Sequence, residues 1–106
     1  MNRDLMIRPA ADNDINTQFG YLTEGAGPEM GLKFLDAIQN TFETLVRRPL
    51  IGSQIDYAST QLRNLRRWHV KGFDNILVFY RHTEKAIEIV RVLHSSRDIL
   101  SELLSS

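Results

Sequence analysis

The chain has 106 residues, 42% of them hydrophobic and 25% charged, with 13 Lys or Arg balanced by 13 Asp or Glu. That is the composition of one ordinary globular domain and not of a disordered chain, and no apolar run approaches the roughly 20 residues that cross a bilayer. Cysteine is absent, which excludes disulfides, thiolate metal sites and cysteine nucleophiles.

In chain order, "LMIR" at 5–8 is a short apolar run stopped by Pro9, as an edge strand would be. From Ala10 to about Glu24, Ile15, Phe19 and Leu22 recur at the period of one helix face, until Gly25, Gly27 and Pro28 interrupt it. Pro28 also suits the first turn of the next helix, in which Met30, Phe34, Ile38, Phe42 and Leu45 keep an apolar stripe as far as Arg48. Pro49 ends it, and the short link between the two helices predicts an antiparallel hairpin. Residues 49–61 show no period and read as an irregular link with room for one helical turn.

The period then changes to two. Leu62–Lys71, Asn75–His82 and Ala86–Leu93 read as antiparallel strands joined by "GFDN" and "HTEK". Ile99, Leu100, Leu103 and Leu104 in the tail have helical spacing, with a serine or aspartate to cap them. The expectation is a single α+β domain over 1–106: a helix hairpin on one face of a small antiparallel sheet of about four strands, with a short C-terminal helix.

Although the net charge is zero, residues 1–56 hold five cations and eight acids, while 57–106 hold eight and five. "NLRRWHVKGF" at 64–73 gathers three cations and a histidine without one acid. Strand alternation puts Arg63, Leu65, Arg67, His69 and Lys71 on one face, and Leu62, Asn64, Arg66, Trp68 and Val70 toward the helices. Arg66 fits this only at the strand's start, its stem over apolar surface and its head in water. The next strand, "NILVFYRH", is apolar on both sides, so the open face is expected to carry a hydrophobic patch bordered by cations. "IEIVRVL" has no clean face, which leaves room for a bulge.

"ADNDI", "RRPLIG", "LRRWHVKGFDNILVFYR" and "IEIVRVLHSSRDI", in that order, resemble the ParE branch of the RelE/ParE toxins of bacterial type II toxin-antitoxin systems, from about Leu5 to Leu104. The resemblance implies a plasmid-stabilisation or addiction toxin. Its partner would be a cognate antitoxin that wraps it in a hetero-oligomer and itself supplies the operator-DNA binding, so no sequence-specific DNA contact is expected of the toxin. ParE-like members are taken to poison DNA gyrase, whereas RelE-like members cut mRNA on the ribosome.

RNA cleavage through the 2′-hydroxyl needs a base, a cation near the developing charge and usually an aromatic to stack a base. His94 and Arg97, with Arg81 and help from Arg67 or His69, are the candidates for such chemistry, but the chain's last aromatic is Tyr80. The favoured reading is therefore non-catalytic. Arg63, Arg67, His69, Lys71, Arg81, His94 and Arg97 are the candidates to bind the target. Ile15, Phe19, Leu22, Leu77 and Phe79 are the candidates to receive the antitoxin.

The plainer reading of the strand cations is a solvated face, of His94 a hydrogen-bonded structural histidine, and of Arg97–Asp98 a local ion pair or helix cap. The three histidines, 13 and 12 positions apart, form no metal motif. No cofactor or metal is expected. The N-terminus lacks the apolar stretch of a signal peptide, so no membrane association and a cytoplasmic location are expected.

Overall fold

The computed structural model describes residues 4–55 and 59–105. A strand, β1 (Asp4–Ile7), leads through Arg8 into α1 (Pro9–Ala26) and, across the single residue Gly27, into α2 (Pro28–Arg47). After a link come β2 (Ser53–Gln54), a 3₁₀ turn (Thr60–Leu62), β3 (Arg66–Val70), β4 (Phe73–His82), β5 (Ala86–His94) and α3 (Ile99–Leu104). The sheet order is β1-β5-β4-β3-β2; all pairings are antiparallel except β1 with β5.

Both long helices begin on proline, whose fixed φ and missing N–H suit a first turn. The turn between them needs Gly27, at φ 96°. Close packing of α1 on α2 needs Gly31, because a Cβ there would run into Thr23 Oγ1 and the Phe19 ring. The stripe predicted on α2 is buried at Phe34, Ile38, Phe42 and Leu45, against Val70, Ile76, Val78, Tyr80, Ile87, Ile89 and Val92 of the sheet. The helix hairpin on one sheet face and the short C-terminal helix are as the sequence predicts. Asp98 caps α3, accepting from the Ser101 N–H.

Four readings are corrected. The sheet has five strands, because Ser53 and Gln54, within the segment read as irregular, pair with Arg67 and Arg66. That segment also contains the single helical turn it had room for, Thr60–Leu62. The third strand is shorter than expected: Asn64 takes a left-handed φ of 63°, which breaks the alternation and turns Leu62 away from the helices. The fourth is longer and starts at Phe73, leaving Lys71 and Gly72 as the turn.

The largest correction concerns the open face. In place of an exposed apolar patch, Leu62, Leu65, Phe79, Val90, Leu93 and Leu103 form a second small core, with Ile55, Leu77 and Ile99 packed against it. The apolar side chains of α3 and the 3₁₀ turn thus cover much of this face. A bulge in β5 makes it possible. Phe79 pairs with Arg91 but Tyr80 with Ile89, leaving Val90 as the extra residue. Alternation is reset there, so Ile89 and Val92 face the helices while Val90 and Leu93 face α3.

Candidate functional site

The sequence-derived candidates fall into separate places. Arg63 precedes β3 and Arg67 lies within it, and both are exposed. His69 is half-buried, opposite Leu77, with its ring centroid 4.7 Å from that of Trp68. Arg67 and His69 therefore share the face opposite the helices, beside the second core, as the alternation predicts. Lys71 is exposed, but in the turn; its backbone N–H donates to Thr41 Oγ1 of α2 at 3.1 Å. Arg66, at the strand's start as expected, is not simply solvated. Its guanidinium donates to the Gly52 carbonyl at 2.7 Å.

Arg81 is committed within the fold. Its Nε donates to the Arg63 carbonyl at 2.9 Å, an Nη donates to the Gln61 carbonyl, and the other Nη lies 3.5 Å from Glu88, which also meets Arg8 at 3.3 Å. This arginine ties the segment before β3 to β4. It does not present a free cation.

His94 ends β5 on the helix side, opposite Ile76. It lines a groove of about 600 Å³ between α1 and the β3–β4 turn, with Gln18, Tyr21, Leu22, Phe73, Asn75 and Arg97. The Ser96 N–H donates to His94 Nδ1 at 3.1 Å, and Ser96 Oγ is 2.8 Å from the same atom. In the neutral ring this places the proton on Nε2 and engages the remaining lone pair. Arg97 is exposed and reaches Glu102 at 3.9 Å, not Asp98. Across the β4–β5 ladder, Ile76 meets His94 and Arg81 meets Glu88, so His94 and Arg81 sit about five residues, or roughly 17 Å, apart along the strands. His94 and Arg97, the base and cation expected of a nuclease, thus line one groove, while the assisting Arg81 lies away from it.

Of the residues expected to receive an antitoxin, Phe79 is 1% exposed beneath the second core, a correction. Leu77 is half-buried at that core's margin. Ile15 is buried but lines a second groove, of about 700 Å³, between β1 and α2. Phe19 packs near Gly31, and Leu22 lines the His94 groove.

Sequence reasoning missed the element that holds these surfaces together. Asp14 of α1 is buried, and its carboxylate accepts from Arg91 Nε at 2.7 Å, Arg91 Nη2 at 2.9 Å and the Val92 N–H at 3.0 Å. Arg91 also donates to the Glu102 carbonyl and carboxylate of α3. The Asp14 hydrogen bonds, which outweigh the desolvation, push the Arg91 pKa up. Because β1 ends at Ile7, Asp14 takes up a donor of the β5 edge that no strand covers. The signal was Arg91, a base in an otherwise apolar strand, but Asp14 lies in the polar run "ADNDINTQ" and nothing in the spacing linked residues 77 apart.

The family described as the ParE toxin of the type II toxin-antitoxin system, parDE, matches residues 5–99. The chain belongs to the ParE toxin family. It is thus a toxin component of a type II system, and the match spans the fold from β1 to the start of α3. Among solved structures, the chromosomal ParDE toxin-antitoxin system from P. aeruginosa aligns with a TM-score of 0.71 at 18% identity, covering 87% of this chain and 95% of that one. The E. coli DinJ-YafQ toxin-antitoxin complex aligns at 0.61 and 13%, covering 91% and 96%. YafQ from E. coli strain BL21(DE3) aligns at 0.59 and 13%, covering 89% and 94%. At these identities the likenesses show a shared fold. No curated protein matches this ParE-family chain. Among its described residues no group of three His, Asp or Glu can hold a metal, and no helix is long and apolar enough to cross a membrane.

Proposed function

We propose that this toxin acts by binding and not by cutting: it inhibits DNA gyrase and is neutralised by a cognate antitoxin. The observation that carries this reading is the state of the would-be nuclease residues: His94 and Arg97 share a groove, but Arg81 does not reach it and the base is occupied. Arg81 is spent on carbonyls at one end of the sheet, and His94 at the other end has its acceptor nitrogen engaged by Ser96. A 2′-hydroxyl proton would lack a ready acceptor there. Arg63 and Arg67, exposed at β3 and without an ion pair among the described residues, are the surface on which a binding toxin would grip its target. The antitoxin's segment would occupy the groove of Leu22, Tyr21 and Phe73, which suits an amphipathic helix with an acidic flank for Arg97.

Purified toxin should inhibit gyrase supercoiling and accumulate cleaved complex, and added antitoxin should relieve both. Undisturbed supercoiling at excess toxin would refute the reading. One observation favours an RNase of the RelE type as the second reading: the aromatic missing from the C-terminus is replaced in space by Tyr21 and Phe73 in the His94 groove. On that reading ribosome-bound mRNA is cut, and His94→Ala abolishes cutting.

A further inference from the structure

The two edges of the sheet differ. At one, β2 is only two residues long. At the other, β1 leaves Leu5, Met6 and Ile7 41%, 55% and 42% exposed. The Asp4 N–H donates to the Lys85 carbonyl at 2.8 Å and the Arg8 N–H to the Ile89 carbonyl at 3.0 Å. Bonding residues alternate in a parallel ladder, so Asp4, Met6 and Arg8 turn their backbone groups to β5 while Leu5 and Ile7 turn theirs outward. Edges left open in this way are usually blunted by a bulge, a proline or inward charges. The β1 register runs unbroken from Asp4 to Ile7, and the side chains of Leu5 and Ile7 border the apolar groove that Ile38 and Phe42 line on α2.

We propose that this edge is where two copies of the toxin meet, β1 against β1, antiparallel, about a two-fold axis through Met6. The pattern of the strand is complementary to itself under that operation. Leu5 of one copy falls opposite Ile7 of the other in both halves. These are the residues with outward backbone groups, so all four N–H and C=O pairs close into hydrogen bonds. Met6 falls opposite Met6, and Asp4 opposite Arg8, which pairs opposite charges at both ends of the contact. An axis at Leu5 or Ile7 would keep outward groups facing each other but would set Asp4 or Arg8 against a residue without opposite charge. The side chains of Leu5 and Ile7 from both copies then run together along the mouths of the two grooves, an isologous contact that joins the sheets.

The test uses the whole toxin without antitoxin. Sedimentation equilibrium should give twice the chain mass. The chain has no cysteine, so Met6→Cys introduces a single one. It should form a covalent dimer on mild oxidation, because a self-opposed, non-hydrogen-bonded pair has its Cα atoms about 4.5 Å apart, within disulfide range. Leu5→Cys, opposite Ile7, should not. Asp4→Arg should weaken dimerisation about tenfold, and Asp4→Arg combined with Arg8→Asp should restore it. Circular dichroism of each variant confirms that it is folded. A toxin that stays monomeric into the millimolar range, or equal cross-linking at positions 5 and 6, overturns the proposal. So does a Met6→Cys chain that cross-links only to a strand of the antitoxin.

Discussion

Asp14 performs two tasks with one carboxylate: it closes the donor that β5 exposes beyond the end of β1, and it neutralises a guanidinium whose side chain is 9% exposed. Removing one partner of such a pair strands the other, so Asp14→Ala should cost about 3 kcal/mol or more, read from the denaturant midpoint. Asp14→Leu with Arg91→Met should recover much of that loss, since apolar replacement of both partners avoids the stranded charge. Tyr80 serves the link after α2. Its hydroxyl donates to the Pro49 carbonyl at 2.8 Å and accepts from the Gly52 N–H at 2.9 Å, where a side chain on Gly52 would collide with the ring. Tyr80→Phe leaves both groups without that partner and should destabilise by about 1–3 kcal/mol. Burial raises the Tyr80 pKa above the ordinary 10.0, outweighing the Gly52 N–H and Arg66, which lower it. The folded state therefore keeps this proton where the unfolded chain has released it. Its stabilisation is whole below about pH 10 and declines as pH rises through the folded value; Tyr80→Phe should remove that alkaline decline from a stability–pH curve.

Among the elements, α3 is short, yet it covers half a core. Leu103 is 2% exposed against Phe79, Val90 and Leu93, and Glu102 receives Arg91. Leu103→Ala should cost about 2–5 kcal/mol and speed amide exchange selectively in α3 and the 3₁₀ turn. The long helices and β4 were legible because their apolar periods span many residues, and Phe34, Ile38 and Phe42 lie where the stripe put them. What covers the open face was not legible. The residues responsible, Leu62 and Leu103, are 41 positions apart, and each reads locally as an ordinary apolar residue. Strict alternation also failed at the positive φ of Asn64, which side-chain pattern does not reveal, and at the extra residue Val90, the bulge for which the mixed faces of "IEIVRVL" had left room. Of the candidate site, the exposed cations of β3 were legible from alternation. Arg81 was not, because its partners are backbone carbonyls of Arg63 and Gln61, which any sequence supplies.

At the scale of the molecule the ParE fold separates three surfaces: the Arg63–Arg67 side of β3, the His94 groove between α1 and the sheet, and the β1 edge. A binding toxin needs the first without the chemistry of the second, and this separation makes the two readings distinguishable by charge reversal at one place and truncation at the other. The decisive measurement is gyrase supercoiling titrated with wild-type toxin, with Arg63→Glu/Arg67→Glu and with His94→Ala, each checked by circular dichroism for an unchanged fold. The account predicts inhibition by the wild type and by His94→Ala, and at least about a tenfold loss of potency in the arginine variant, as reversed charges at a binding face entail. Supercoiling untouched by the wild type, with ribosome-bound mRNA cut in a manner that requires His94, would contradict it.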